Sequence, residues 1–126
     1  MTHRSRLAQI ILDCRTVDLD AATAFWSAAL GRGTRPLTDP QDGRYRALQT
    51  QPGELNIILQ SVDHPSRVHL DIEADDVDAE VTRLEALGAK RVAQVRTWWV
   101  MEAPTGQRFC VLPPQLPNLQ NEGNEW

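Results

Sequence analysis

His69, Asp71 and Glu73 alternate with Val68, Leu70 and Ile72 along one short stretch. Successive side chains of an extended chain point to opposite faces, so an imidazole and two carboxylates share one face and three aliphatic groups the other. A neutral imidazole with an ordinary pKa near ~6.5 can act as a general base, a hydrogen-bond donor or a metal ligand. The plainer reading is a structural histidine bonded to a neighbouring carboxylate. The aliphatic face is expected to form the core, which turns His69 toward a cavity.

This stretch repeats an earlier one. Shifted by 58 residues, Leu12, Asp13, Asp18, Asp20 and Ala21 coincide with Leu70, Asp71, Asp76, Asp78 and Ala79, five identities in eleven positions. His69 then falls opposite Ile11. Asp13 shares the face of Ile11, so His69, Asp13, Asp71 and Glu73 form a conceivable metal set, with mutual ion pairing as the bland alternative. Cys110 lies in the apolar run Phe109–Leu112. With Arg108 near it the thiol would be a nucleophile, and otherwise a small core filler. Trp98 and Trp99 are adjacent in a strand and must point to opposite faces, one under a helix and one as a flat wall for a ligand ring.

The elements that position these groups occur twice. Gln9 to Arg15 reads as a strand, with Leu12 and Cys14 toward a helix. Asp18 caps a helix over Leu19–Leu30 whose apolar stripe is Ala21, Phe25, Ala28 and Ala29, widened by Ala22, Trp26 and Leu30 and ended by Gly31 and Gly33. Thr34 to Pro36 is a short edge strand, residues 39–43 a turn, and Arg44–Thr50 and Leu55–Ser61 two more strands. In the second half Arg67–Glu73 is a strand. A helix capped by Asp75 or Asp76 follows, with Val77, Val81, Leu84 and Leu87 inward, and then strands at 91–96, 98–102 and 107–112. Residues 1–7 are expected to fray, and 113–126 to form an extended tail. The order is βαβββ twice, and neither half buries its sheet and helix alone.

With 126 residues the chain suits one domain. A net charge of −4 and scattered arginines argue against nucleic acid as a partner. The run Ile10–Leu12 is too short for a signal-peptide core, and no stretch nears the ~20 apolar residues of a membrane span. A cytoplasmic protein with two reduced cysteines is expected.

The chain resembles a single glyoxalase/bleomycin-resistance/extradiol-dioxygenase domain, of the vicinal oxygen chelate superfamily. The resemblance is carried by Asp18–Ala21, Phe25-Trp26, Leu30-Gly31, His69–Asp71 with Asp75–Val77, Leu87–Ala89 and Ala103–Gly106 before Phe109–Leu112. It implies an α+β fold in which two βαβββ modules, about 8–62 and 66–112, curl mixed sheets around a shared cavity, and it implies a homodimer. Metal-dependent members take ligands from the first and last strands of each module. Carried over, these positions are Ile11 and His69, then Ile57 and Cys110. Only His69 matches the usual ligand type, and the Cys110 thiolate suits zinc better than harder ions.

The expectation is therefore a glyoxalase-like protein that binds a small organic molecule without the usual metal site or another cofactor. His69 would be its catalytic group, and Ile11, Asp13, Ile57, Asp71, Trp98 and Cys110 would contact ligand. The alternatives are a metal-dependent lyase, isomerase or dioxygenase with altered ligands, or a non-catalytic interaction domain.

Overall fold

A computed structural model describes residues 2–37 and 43–126. The turn expected over residues 39–43 lies, apart from Gly43, outside them. The fold is α+β, and the chain divides into two compact units, residues 9–68 and residues 1–8 with 69–126. Strand β1 (Arg4–Arg15) runs through both.

In the unit of residues 9–68, β1 leads into α1 (Leu19–Leu30), β2 (Thr34–Arg35), β3 (Tyr45–Leu48) and β4 (Asn56–Val62). The strand order is β2-β3-β4-β1, with β1 and β4 parallel and the other pairs antiparallel. Asp18 caps α1 by accepting a hydrogen bond from the Ala21 amide at 3.0 Å. Gly31 ends the helix at φ +66°, a left-handed conformation that costs glycine nothing. The packed face of α1 is the widened edge of the expected stripe, not its centre. Leu19, Ala22 and Trp26 meet Leu12, Cys14, Leu48 and Leu59, whereas Phe25 is 62% exposed and touches Trp26 edge-on. Alanines at consecutive turns fit either face, and the larger Leu19 and Trp26 decide it.

In the other unit, β5 (Arg67–Ala74) leads into α2 (Val77–Ala86), β6 (Lys90–Val95), β7 (Trp98–Glu102) and β8 (Arg108–Leu112). The order here is β5-β8-β7-β6, with β5 and β8 parallel. Asp76 caps α2 through the Ala79 amide at 3.0 Å. Val81, Leu84, Met101, Val111 and Ala74 form the core beneath α2. Replacing either cap, Asp18 or Asp76, by alanine is expected to cost about 1 kcal/mol, read as a lower urea midpoint at unchanged slope.

Two expectations for the chain ends need correction. Residues 4–8 are strand, and the tail beyond 112 is folded: it carries α3 (Leu119–Glu122) and β9 (Asn124–Glu125), which pairs antiparallel with Arg4 and Ser5. A Cβ at Gly123 would lie 2.7 Å from the Leu119 carbonyl oxygen, so the step from α3 to β9 requires glycine. What ties the tail down is polar. The carboxylate of Glu73 accepts hydrogen bonds from the amides of Gln115 and Leu116 and from Arg6. Composition marks such a segment as polar and loose; the buried carboxylate of Glu73 and the β9 pairing hold it in place.

Candidate functional site

Strand alternation places His69, Asp71 and Glu73 on one face of β5, away from α2. Register brings a fourth group to them, because Asp71 pairs with Cys110 across the parallel β5–β8 ladder, and paired residues share a face. Cys110 in turn pairs with Val100, so Trp98, two residues back on β7, lies on this face as well. Trp99 lies on the opposite one, packed in the α2 core with Arg91 over its ring. The choice between the two tryptophans, open in the sequence, is made by pairing with β8.

The three chemically active groups converge. His69 Nε2 lies 3.3 Å from Asp71 Oδ1 and 4.0 Å from Cys110 Sγ. One ligating atom from each fits within 4.8 Å of the others. Asp71 is buried and His69 nearly so. Beside them Glu73 is 0% exposed and engaged with the tail and Arg6. A catalytic relay needs both ring nitrogens of a histidine, one toward the carboxylate and one toward the thiol. Here both partners approach the same nitrogen, which is the arrangement of donors around a point.

Donors bound at about 2.0–2.3 Å to a tetrahedral zinc stand about 3.3–3.8 Å apart. The observed separations meet this after a contraction of about 1 Å at the widest edge. Three protein donors including one thiolate match a zinc site with one open position. The residues fit such an ion; the hard cations magnesium and manganese suit a thiolate poorly.

The other predicted site residues lie in residues 9–68. Ile11 is buried with Ala47 and Ile58, and Leu37 and Tyr45 pack on them. Asp13 is buried and approached by Arg67 Nε at 3.4 Å; Gln60, its register partner, donates to the Tyr45 hydroxyl. Ile57 requires correction. It packs with Leu19, Leu48 and Leu59 on the α1 side, and the residue paired with Ile11 is Ile58. The Arg15 backbone amide donates to Ser66 Oγ at 3.0 Å. Cys14 packs toward α1, where burial first and then Asp13 push its thiol pKa up, so it holds its proton.

Sequence reasoning missed Ile58, Gln60 and Arg6. The run Asn56-Ile57-Ile58-Leu59 has no alternation to reveal its faces. Arg6 was hidden in a segment expected to fray.

The profile of the family described as glyoxalase-like domain matches residues 9–112. A search of curated proteins finds no significant match. Among solved structures, a hypothetical protein from Bacillus halodurans superposes with a TM-score of 0.63 at 11% identity, over 90% of this chain and 97% of that one. Methylmalonyl-CoA epimerase from Mycobacterium tuberculosis gives 0.62 at 17% identity, over 87% and 88%. The Mn(II)-bound glyoxalase from Novosphingobium aromaticivorans gives 0.60 at 19%, over 94% of this chain but 44% of its own length. At these identities the likeness is one of fold. The family profile spans both βαβββ repeats, and the chain belongs to the glyoxalase-like domain family.

Proposed function

We propose that the chain binds a small organic molecule on the β5–β8–β7 face that carries His69, Asp71, Cys110 and Trp98. The convergence of imidazole, carboxylate and thiol on one sheet face carries this reading. An ordinary sheet surface disperses such groups; here they are concentrated and partly buried on a face they share with Trp98. In this reading His69 holds or deprotonates a ligand oxygen, Asp71 sets the orientation of the ring, and Trp98 takes an apolar portion of the ligand. The fold neighbours that are enzymes act on different substrates, so the substrate of this chain follows from its own side chains.

A second reading is favoured by one observation, the approach of two donors to the same histidine nitrogen. In it His69, Asp71 and Cys110 together hold a zinc-type ion, which would polarise a ligand oxygen.

Elemental analysis of protein purified without chelator or tag metal separates the two. On the metal-free reading no stoichiometric transition metal is found, and a ligand at 100 times its Kd raises stability by about 2.7 kcal/mol. His69→Ala abolishes that gain. One zinc per chain, lost in His69→Ala and in Cys110→Ser, would replace the first reading by the second. Failure of every aromatic, thiol-adduct and antibiotic ligand to stabilise a metal-free protein would leave the interaction-domain alternative.

A further inference from the structure

A second feature lies wholly within residues 9–68. Register aligns four residues in one row across four strands: Ile11 with Ile58, Ile58 with Ala47, and Ala47 with Arg35. Paired residues share a face, so the row begins with three buried apolar side chains and ends on a cation at the edge strand β2. Over its outer end lies a hollow of about 200 Å³, lined by Arg35, Leu37, Tyr45, Arg46 and Ala47. The two arginines differ. Arg46 is held by Asp20 at 3.1 Å and by the carbonyl oxygens of Gly43 and Tyr45 at 2.9 Å each. Arg35 is partly buried, and its guanidinium has no hydrogen bond or ion pair among the described residues.

Among the described residues no acceptor meets this half-buried guanidinium, which leaves its donors to be satisfied from outside them. Its planar fork fits a carboxylate bidentately, which a single point charge does not. The apolar side chains beside it leave room for a small hydrocarbon or ring. Drug-sized ligands need pockets of about 300–1,000 Å³, so the occupant is smaller than these.

We infer that this hollow is a binding site for a small organic carboxylate, with the anion on the Arg35 fork and the apolar portion against Leu37, Tyr45 and Ala47. The site uses none of the residues of the His69 cluster and stands apart from the function proposed for them.

The test is an amide-resolved NMR titration of the full chain with acetate, butanoate and phenylacetate, and with neutral phenylacetamide as control. Phenylacetate is expected to shift the amides of Arg35, Leu37 and Ala47 saturably, and phenylacetamide to bind at least tenfold more weakly. Arg35→Gln should weaken phenylacetate by about tenfold or more, the scale of one charge-assisted pair. Arg35→Lys, which keeps the charge without the fork, should fall between. Unchanged amide spectra of the free variants elsewhere confirm that they fold. The inference is overturned if no carboxylate moves these amides, if phenylacetamide or Arg35→Gln matches phenylacetate with the native chain, or if the shifts are confined to His69, Asp71 and Cys110.

Discussion

Replacing Glu80 by alanine is expected to destabilise the fold by about 3–5 kcal/mol, the scale of removing one partner from a buried ion pair. Glu80 is 0% exposed although it sits on a surface helix. Each of its oxygens takes two hydrogen bonds. Oε1 accepts from Arg83 Nε and from His3 Nε2, both at 2.8 Å. Oε2 accepts from Arg83 Nη2 and Ser5 Oγ, also at 2.8 Å. His3 Nε2 must carry a proton here, since an ionised carboxylate only accepts. The network extends to the chain end: Trp126 Nε1 donates to Ser5 Oγ at 2.8 Å, and Arg83 stacks on the indole at 3.7 Å. Alanine leaves the His3 and Ser5 donors buried with no acceptor. Arg83 stays partly solvated, which puts the expected loss nearer 3 than 5 kcal/mol. Glu80→Gln keeps the volume but turns an NH₂ group toward donors, so a smaller loss of about 2 kcal/mol is expected. Urea midpoints at neutral pH measure both; a loss below about 1 kcal/mol for alanine would show that the network contributes little.

The same carboxylate makes a pH prediction. Burial pushes its pKa up, but the hydrogen bonds from Arg83, His3 and Ser5 outweigh burial, and the folded value lies below the ordinary 4.5. A carboxyl depressed in the folded state contributes stability that is full above its unfolded pKa. That contribution is lost as pH falls through the folded value. The gap between the native chain and Glu80→Gln should therefore be constant near neutrality and narrow progressively below pH ~4.5.

The doubled βαβββ order was legible because it rests on local signals. Asp18 and Asp76 cap helices at equivalent positions of a repeat, and glycine follows α1. His69 and Asp71 could be placed together because alternation alone puts them on one face. Cys110 joins them only through a ladder between strands 39 residues apart in sequence, counting from Asp71 to Cys110. Burial along β5 was less legible. Val68 and Leu70, read as core, are 61% and 46% exposed, whereas Asp71 and Glu73 are buried. Hydrophobicity names the face that can be buried cheaply. Which face is covered depends on distant segments, here a tail whose amides and arginine partner satisfy the acid. Glu80 was overlooked for the same reason: in sequence it is one more acid in the first turns of a helix, where acids are ordinarily solvated.

Glu73→Ala is expected to cost about 3 kcal/mol, with most of the effect confined to the C-terminal segment. The Glu73 carboxylate is 0% exposed and accepts from Arg6 Nε at 2.6 Å, from the Gln115 amide at 2.5 Å and from the Leu116 amide at 2.9 Å. Hydrogen bonds to a charged group are worth about 1.5–3 kcal/mol each, and three that share one acceptor are not additive. Arg6 keeps its bonds to Glu122 and the Pro117 carbonyl, so the arginine is not stranded. The residues released first are therefore 115 and 116. The end of the tail has its own anchors, the β9 pairing to Arg4 and Ser5 and the Trp126 contacts with Ser5 and Arg83. Hydrogen exchange should accelerate sharply at the amides of Gln115 and Leu116 in Glu73→Ala while tryptophan fluorescence changes little. Glu80→Ala should show the converse. If either variant frees both ends of the tail together, the two glutamates act as one clamp. Glu73 also shares its strand face with His69 and Asp71, so the first anchor bounds that face directly. Ligand binding or metal loading at the His69 cluster should thus be altered more by Glu73→Ala than by Glu80→Ala at equal loss of stability.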